Sequence, residues 1–191
     1  RIQAQSAASP YNPATSDPAT RDSLYPPGAD ELQIVSMGAR LNGFIYLASG
    51  PRPHPTVVLL HGFPGNERNL DLAQALRRAG DNVLYFNYRG SWGSGGSFSF
   101  AHSLEDIGAV LWFLRSDAAT TTYRIDPSRI ALVGHSMGAW VALFAEAADT
   151  AVACAAALDI WNVGADGPAL RGNAALDTAF TDYHNWLTAP G

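Results

Sequence analysis

The chain has 191 residues, of which 47% are hydrophobic, and its formal net charge is −5 at pH 7. A chain of this size buries enough apolar surface for one substantial core, so two full domains are not expected. The twelve lysines and arginines are scattered, which excludes a basic stripe for nucleic acid. Apolar runs are interrupted well before eighteen residues, so we also expect no membrane partner.

The start of the chain is small, polar and interrupted by prolines. Residues 1–30 are predicted to be a flexible lead-in of the kind that is exposed after a signal peptide is removed. This composition indicates a secreted or periplasmic location, with a cytoplasmic one as the alternative. The core is predicted over residues 31–162.

The core begins with a hairpin and continues with buried strands. Residues 32–38 and 39–50 predict two short strands that meet at a turn near Gly38. Four later apolar runs are typical of strands that are buried on both faces of a parallel sheet. These runs lie in Val57–Leu60, 82–90, 129–134 and 151–160.

Helical spacing of apolar residues follows the first two of these strands. Residues 72–79 carry one apolar stripe, and Gly80 predicts where that helix ends. The next helix follows a glycine-rich loop, with Ser103 as its candidate N-cap and Asp106 three residues later.

A third helix is predicted over residues 137–148, with Val141, Phe144 and Ala148 on its buried side. Strands that alternate with helices of this length imply right-handed crossovers. The predicted fold class is therefore α/β, a mostly parallel sheet with helices on both faces.

The last strand carries the single cysteine, Cys154, which excludes an intrachain disulfide. We expect Cys154 to be a small buried residue. Beyond it, glycines weaken the pattern, and residues 163–191 are predicted to be a lid-like segment or the start of a cap, with one helix over 174–187.

The sequence GHSMG, residues 134–138, lies between a predicted strand and a predicted helix. A serine hydroxyl becomes an effective nucleophile only when a base takes its proton and the turn presents its oxygen to the substrate. A strand-to-helix elbow provides that presentation, and its tight packing requires small residues such as Gly134 and Gly138. Ser136 is the candidate nucleophile.

A second motif, HGFPG at residues 61–65, ends an earlier buried strand. Its backbone turns toward the same sheet edge, so the N–H groups of Phe63 and Met137 are the predicted oxyanion hole. His61 is interpreted as bracing this loop through a hydrogen bond rather than as the catalytic base.

Together with YRGS at residues 88–91, these motifs resemble the α/β-hydrolase family, in the order that the family uses. The resemblance covers about residues 30–162. Within the family, the chain is similar to the serine esterase, peptidase and dienelactone-hydrolase-like branches. It implies hydrolysis of a small-molecule carboxylic ester, or of an amide, through an acyl-enzyme on Ser136. The chain differs from the family pattern just after the elbow, where many relatives carry a second glycine and this chain has Ala139 and Trp140.

No cofactor or metal is expected. The glycines of residues 90–96 could suggest a phosphate cradle, but the chain lacks G-x-x-x-x-G-K-[ST], and these glycines do not open directly into a helix. The histidines and acids lack the spacing of metal ligands.

The acid and the base are the open part of this interpretation. The family order implies an acid and then a histidine after the nucleophile, and only Asp159 and His184 are candidates. No further buried strand follows residue 160, so we expect the chain to be C-terminally incomplete, a fragment of a longer hydrolase. Two alternatives are a second chain or symmetry mate that covers the open sheet edge, and a site rebuilt with His184 and Asp159.

Aromatic residues are frequent in the segments that are expected at the rim of the site. They favour an apolar acyl or alcohol group in the substrate, although core packing explains many of them equally well. The competing function is an inactive hydrolase scaffold that binds a ligand or a partner. The aromatic residues are Trp92, Phe98, Phe100, Trp140 and Trp161.

Overall fold

A computed structural model of the chain describes residues 11–170 and 173. These residues fold around one six-stranded sheet. Its strands are β1 (Gly28–Ser36), β2 (Ala39–Leu47), β3 (His54–Leu60), β4 (Asn82–Phe86), β5 (Ile125–His135) and β6 (Cys154–Leu158). The spatial order is β1-β2-β4-β3-β5-β6. β2 is antiparallel to both β1 and β4, and the other neighbours are parallel.

Helices pack against both faces of the sheet, as the fold class predicted. They are α1 (Leu70–Ala79), α2 (Phe100–Leu114), α3 (Asp117–Tyr123), α4 (Met137–Ala148) and α5 (Val163–Leu170). α1 packs on one face, whereas α2 and α4 pack on the other. No helix in the described part of the chain has the length and apolar character needed to cross a membrane.

Successive residues of β3 contribute to two different cores. Val57 and Leu59 pack with Ala73 of α1, whereas the alternate residues Val58 and Leu60 join the larger cluster on the opposite face. Because side chains alternate across a strand, a continuous apolar run is what a strand covered on both faces requires. The apolar run at Val57–Leu60 is therefore correctly interpreted as a buried strand.

The hairpin, a strand in each of the four apolar runs and the three long helices agree with the sequence expectations, although the last strand is not buried on both faces. β5 begins at Ile125, earlier than predicted, and the short helix α3 was not predicted. Residues 1–10 of the lead-in lie outside the described residues. So do His184 and the predicted helix over residues 174–187.

The predicted N-cap of α2 is wrong. The helix begins one turn earlier, and its cap is Ser99, whose Oγ accepts a hydrogen bond from the His102 N–H at 3.0 Å. Ser103 lies inside the helix, where its hydroxyl donates to the Phe100 carbonyl at 2.6 Å. Asp106 does not complete a capping box because its carboxylate is buried in an ion pair.

The predicted buried side of α4 is also wrong beyond Val141. Phe144 is 55% exposed, and Ala148 is exposed as well. The buried residues of the helix are Met137, Gly138, Ala139, Val141, Ala142 and Ala145. Small side chains allow the helix to lie close to β5 and β6, so the large ring is placed on the outer side.

Cys154 is exposed rather than buried. It pairs with Ala131 of β5, and β6 is the edge strand of the sheet that the structure describes. A strand at the edge keeps one side open, so the apolar run 151–160 is not a fully buried strand.

A buried ion pair joins the loop after β4 to α2. Arg89 is 6% exposed and Asp106 is fully buried. The Arg89 Nε donates to Asp106 Oδ1 at 2.5 Å, and the Arg89 backbone N–H donates to Oδ2 at 2.8 Å. The hydroxyl of Ser36 in β1 donates to Oδ1 at 2.7 Å. One carboxylate thus connects a strand, a loop and a helix.

Replacement of this carboxylate should destabilise the fold. Asp106→Ala leaves the Arg89 guanidinium buried without its main partner, which costs about 3 to 5 kcal/mol of unfolding free energy. Equilibrium denaturation measures this loss. Glu105→Ala is the matched control, because Glu105 pairs with the same arginine from an exposed position and its removal should barely move the midpoint. Equal losses in the two variants would contradict the role assigned to burial.

Candidate active site

Ser136 occupies the elbow between β5 and α4. Its backbone has φ 56° and ψ −119°, a region that L-residues rarely adopt. The Ser136 N–H donates to the Leu158 carbonyl at 3.0 Å, and the Trp161 N–H donates to the Ser136 carbonyl at 3.1 Å. Such strain persists only where the surroundings enforce it, and it concentrates at functional sites.

The two glycines of the motif are required by backbone contacts. A Cβ on Gly134 would lie 2.0 Å from the carbonyl oxygen of Gly138. A Cβ on Gly138 would lie 2.0 Å from the carbonyl oxygen of Leu60, at the end of β3. Neither position can hold a side chain without moving the main chain. The reason predicted for both glycines, tight packing around the serine, is confirmed.

The HGFPG loop lies directly against the serine. A Cβ built on Gly62 would be 3.0 Å from Ser136 Cβ and 3.4 Å from Ser136 Oγ. The two motifs, separated by 68 residues in sequence, are therefore in van der Waals contact. Met137 begins α4, so its N–H has no acceptor within the helix.

His61 fixes the orientation of the peptide group that follows it. Its Nδ1 lies 2.7 Å from the Gly62 carbonyl oxygen. Because a carbonyl only accepts, Nδ1 must carry the hydrogen. The C=O and N–H of a trans peptide point in opposite directions, so the Phe63 N–H points away from His61. This contact agrees with the bracing role expected for His61.

The imidazole of His61 stays neutral in the fold. Burial, the largest cause, lowers its pKa from 6.5 to about 4, and the positive charge of Arg68 acts in the same direction. The ring packs against Tyr88, with the two ring centroids 4.5 Å apart. A neutral, enclosed ring suits a structural hydrogen bond.

The structure brings one of the two candidate triad partners near Ser136. His135 of β5 pairs with Leu158 of β6, so Asp159 follows β6 at the same edge of the sheet where Ser136 follows β5. His184 lies outside the described residues.

The four histidines within the described range do not bond to the serine hydroxyl. His54 lies at the amino end of β3, where its ring nitrogens face the carbonyls of Gly80 and Gly50. His102 faces the Ser97 carbonyl. Across residues 11–170 and 173, no group of three histidine, cysteine or acidic side chains could hold a metal ion.

Three of the five expected rim aromatics lie together. Phe98, Phe100 and Trp161 form a series of ring contacts that also includes Phe63. Trp92 lies beside the HGFPG loop, where its Nε1–H donates to the Pro64 carbonyl at 2.8 Å. Trp140 instead packs on Phe144 along α4, with ring centroids 5.0 Å apart.

Sequence reasoning missed the group that orients Trp161. The indole Nε1–H donates to Asp166 Oδ2 at 2.5 Å, from the first turn of α5. A spacing of five residues across a loop and a helix start has no sequence signature. Only the fold could reveal this pair.

Two open clefts, of about 560 and 520 Å³, lie elsewhere on the surface. The first lies along β1, β2 and β4, and the second is near the amino end of β3. Ser136 lines neither of them, so the candidate active site is defined by the elbow and the loops around it.

The sequence model of the alpha/beta hydrolase family matches residues 57–190, which include the HGFPG loop and the elbow. The chain belongs to the alpha/beta hydrolase family. Two Mycobacterium tuberculosis relatives, "Uncharacterized protein MT2364" and "Uncharacterized protein Rv2307c", are each 31% identical over 134 residues. Each match covers 70% of this chain and 46% of the relative, so the chain spans about half the length of the curated relatives it matches.

Solved alpha/beta hydrolases share the fold. The alpha/beta hydrolase GrgF from Penicillium sp. sh18 is 22% identical, with a TM-score of 0.63 over 84% of this chain and 55% of that one. A Coxiella burnetii alpha-beta serine hydrolase homologue is 21% identical, with a TM-score of 0.59 over 84% and 83%. XC6422 from Xanthomonas campestris, described as an a/b serine hydrolase without lid, is 27% identical, with a TM-score of 0.51 over 66% and 59%.

Substitution of the glycine below the serine should destabilise the fold. Gly138→Ala places a methyl group against the Leu60 carbonyl, and relief requires a backbone shift that costs about 3 kcal/mol. The measurement is chemical denaturation. Gly108→Ala is the control, since a new Cβ on that helical glycine would meet no atom within 4 Å beyond its chain neighbours and its own helix backbone, and the change should stabilise by about 0.5 to 1 kcal/mol. A stabilising effect of Gly138→Ala would refute the contact.

The lowered pKa of His61 predicts how stability depends on pH. The unfolded chain binds a proton at His61 below pH 6.5, whereas the native chain binds it only below about pH 4. Stability should therefore fall as pH decreases from 6.5 to 4, by about 3 kcal/mol from this residue. Unfolding curves over this pH range measure the slope.

His61→Asn separates this effect from the titration of the carboxyl groups. The asparagine amide keeps a donor for the Gly62 carbonyl but cannot titrate. The difference in stability between wild type and variant should shrink or change sign toward pH 4. A difference that is independent of pH would rule out a buried neutral histidine.

Proposed function

We propose that Ser136 is the nucleophile of a serine hydrolase that cleaves carboxylic esters, and amides less readily, through an acyl-enzyme. The observation that carries this proposal is the strained backbone of Ser136, enforced at the elbow directly below the Gly62 backbone. Membership of the alpha/beta hydrolase family supports it. The relative described as a serine hydrolase supports the same chemistry.

The reaction follows from the groups around the elbow. Ser136 Oγ attacks the ester carbonyl carbon while a base takes the hydroxyl proton, and the carbonyl oxygen becomes negatively charged. The N–H groups of Phe63 and Met137 donate to this oxyanion. The tetrahedral intermediate then expels the alcohol, which receives the proton from the base, and water releases the acyl group by the same steps.

Two features support these donors. The Phe63 N–H belongs to the peptide that His61 orients, and the Met137 N–H is the first of α4, where the helix dipole adds positive potential. His61 is thus a positioning residue in this proposal, because it acts through the peptide rather than on the substrate.

The base comes from outside residues 11–170 in this proposal. His54, His61, His102 and His135 are each occupied elsewhere or lack a contact with the serine hydroxyl within the described chain. His184 remains a candidate, and so does a histidine from a longer polypeptide or a second chain. Asp159, at the same sheet edge, is the candidate acid that orients it.

A fluorophosphonate probe tests the nucleophile directly. The probe phosphonylates an activated serine with loss of fluoride, so intact mass should rise by one adduct, and digestion should locate it on Ser136. Ser136→Ala should abolish labelling. Ser128→Ala is the control, because Ser128 is an exposed serine that hydrogen-bonds Asp126 at the opposite end of β5. Labelling that survives in Ser136→Ala would overturn the assignment.

His184→Asn locates the base in the same assay. If His184 activates the serine, labelling should slow by roughly two or more orders of magnitude, the typical contribution of a general base. An unchanged rate assigns the base to another histidine.

A second candidate function is a binding scaffold without turnover. The exposed edge strand β6 favours it, because Leu158 is 39% and Ile160 is 48% exposed beside unpaired strand edges. In that case a folded chain would resist the probe, while sedimentation would detect a second chain or a second copy at the β6 edge.

A further inference from the structure

Two ring N–H groups hold the carbonyls on either side of Phe63. On one side, His61 Nδ1 donates to the Gly62 carbonyl at 2.7 Å. On the other side, the Nε1–H of Trp92 donates to the Pro64 carbonyl at 2.8 Å. The first donor belongs to the HGFPG loop itself, whereas the second comes from the glycine-rich loop after β4. Two separate loops therefore fix this short stretch of backbone.

The backbone between these two carbonyls has little freedom. The ring of Pro64 locks its own φ, and its nitrogen carries no hydrogen. The Phe63 N–H is therefore the only N–H between the two held carbonyls. Rotation of the peptide that contains it would strain both hydrogen bonds, because each bond fixes one end of the segment.

The two donors converge on one glycine. Gly65 has φ +94°, and a Cβ built on it would lie 2.5 Å from His61 Nδ1 and 2.9 Å from Trp92 Nε1. Both donor nitrogens thus lie against the same backbone position. A side chain at Gly65 would displace one ring or both, so the close approach requires a glycine.

The indole of Trp92 is itself held in place. Its backbone carbonyl accepts a hydrogen bond from Asn87 Nδ2 at 3.2 Å, and Asn87 Oδ1 accepts one from the hydroxyl of the buried Tyr85. The Arg68 Cζ lies 5.3 Å from the Trp92 ring centroid and 5.1 Å from that of Tyr85. A guanidinium at this distance is attracted to the face of each ring. Both the backbone and the ring of Trp92 are therefore restrained.

The loop that carries Trp92 is bonded to the sheet. The Gly95 N–H donates to the Arg40 carbonyl at 2.8 Å, and the Asn42 N–H donates to Ser94 Oγ at 2.9 Å. Arg40 and Asn42 belong to β2, which pairs with both β1 and β4. These bonds connect the indole to the rigid centre of the fold.

We propose that Trp92 is a positioning residue for the oxyanion hole. Its indole N–H, acting through the Pro64 carbonyl, holds the Phe63 N–H where the oxyanion forms. This inference rests on the proposed roles of Ser136 and of the Phe63 N–H. A donor that is fixed before charge develops stabilises the transition state more than the bound substrate. Loss of the indole N–H should therefore lower kcat with little effect on KM.

Trp92→Phe tests this split on the full chain, because it keeps an aromatic ring beside Arg68 but removes the N–H. With p-nitrophenyl acetate, kcat should fall about ten- to hundredfold, less than for loss of a whole oxyanion donor, while KM changes less than about twofold. Trp112→Phe is the matched control, since Trp112 is 77% exposed on α2 and its kcat should equal that of the wild type. An unchanged kcat in folded Trp92→Phe would overturn the proposal.

An isosteric analogue separates the N–H from the packing of the ring. Incorporation of 3-benzothienylalanine at position 92 replaces the N–H by sulfur and keeps the shape of the indole. This analogue should reproduce the loss of kcat, and circular dichroism checks that the chain is folded. A loss in Trp92→Phe that the analogue does not reproduce would assign the effect to packing and overturn the proposal.

NMR separates this inference from the proposed function, because it needs no turnover. The Trp92 indole N–H should exchange with solvent more slowly than that of Trp112, and the analogue at position 92 should shift the Phe63 amide resonance. Both results in a chain that the fluorophosphonate probe does not label would support the positioning role and count against Ser136 as the nucleophile. Labelling of Ser136 with an unmoved Phe63 amide would support the nucleophile and overturn the role of Trp92.

Discussion

The site depends on the close approach of three backbone segments. The end of β3, the end of β5 and the start of α4 come so near to one another that no Cβ fits at Gly134 or Gly138. This contact forces Ser136 into its strained backbone and presses Gly62 against it. A serine on an ordinary turn would relax to a common conformation, and the oxygen would turn away from the sheet edge. The packing of the main chain therefore determines where the hydroxyl points.

The sheet supplies the rigidity that this packing needs. β3, at its centre, is covered on both faces, and a buried ion pair fixes the loop that follows the neighbouring strand β4. His61, enclosed and neutral, holds the next peptide in one orientation. These contacts act on the backbone, so the donors proposed for the oxyanion require little movement when charge develops. Preorganised donors of this kind are where enzymes gain most of their electrostatic stabilisation.

Local pattern predicted the elements and the elbow, because periodicity and glycine placement are properties of short segments. It failed where a choice depended on distant residues. Ser99 and Ser103 both have a hydroxyl that could cap α2; in the structure the earlier serine is the cap, and Asp106 pairs with Arg89 rather than completing a capping box. Phe144 fits the helical stripe of α4, but in the fold it lies on the exposed side of that helix. The bond from Trp161 to Asp166 required knowledge of how the chain turns after β6.

The two peptide groups that flank Ser136 are bonded to the last residue of β6 and to the segment that follows it. Its N–H reaches the Leu158 carbonyl, and its carbonyl receives the Trp161 N–H, so the serine forms one more rung of the β5 and β6 ladder. The strained residue Ser136 is thus held in place by the edge strand of the described sheet. Elements at an edge open most easily in local fluctuations. Whatever covers that edge therefore also affects how long Ser136 keeps its strained backbone conformation.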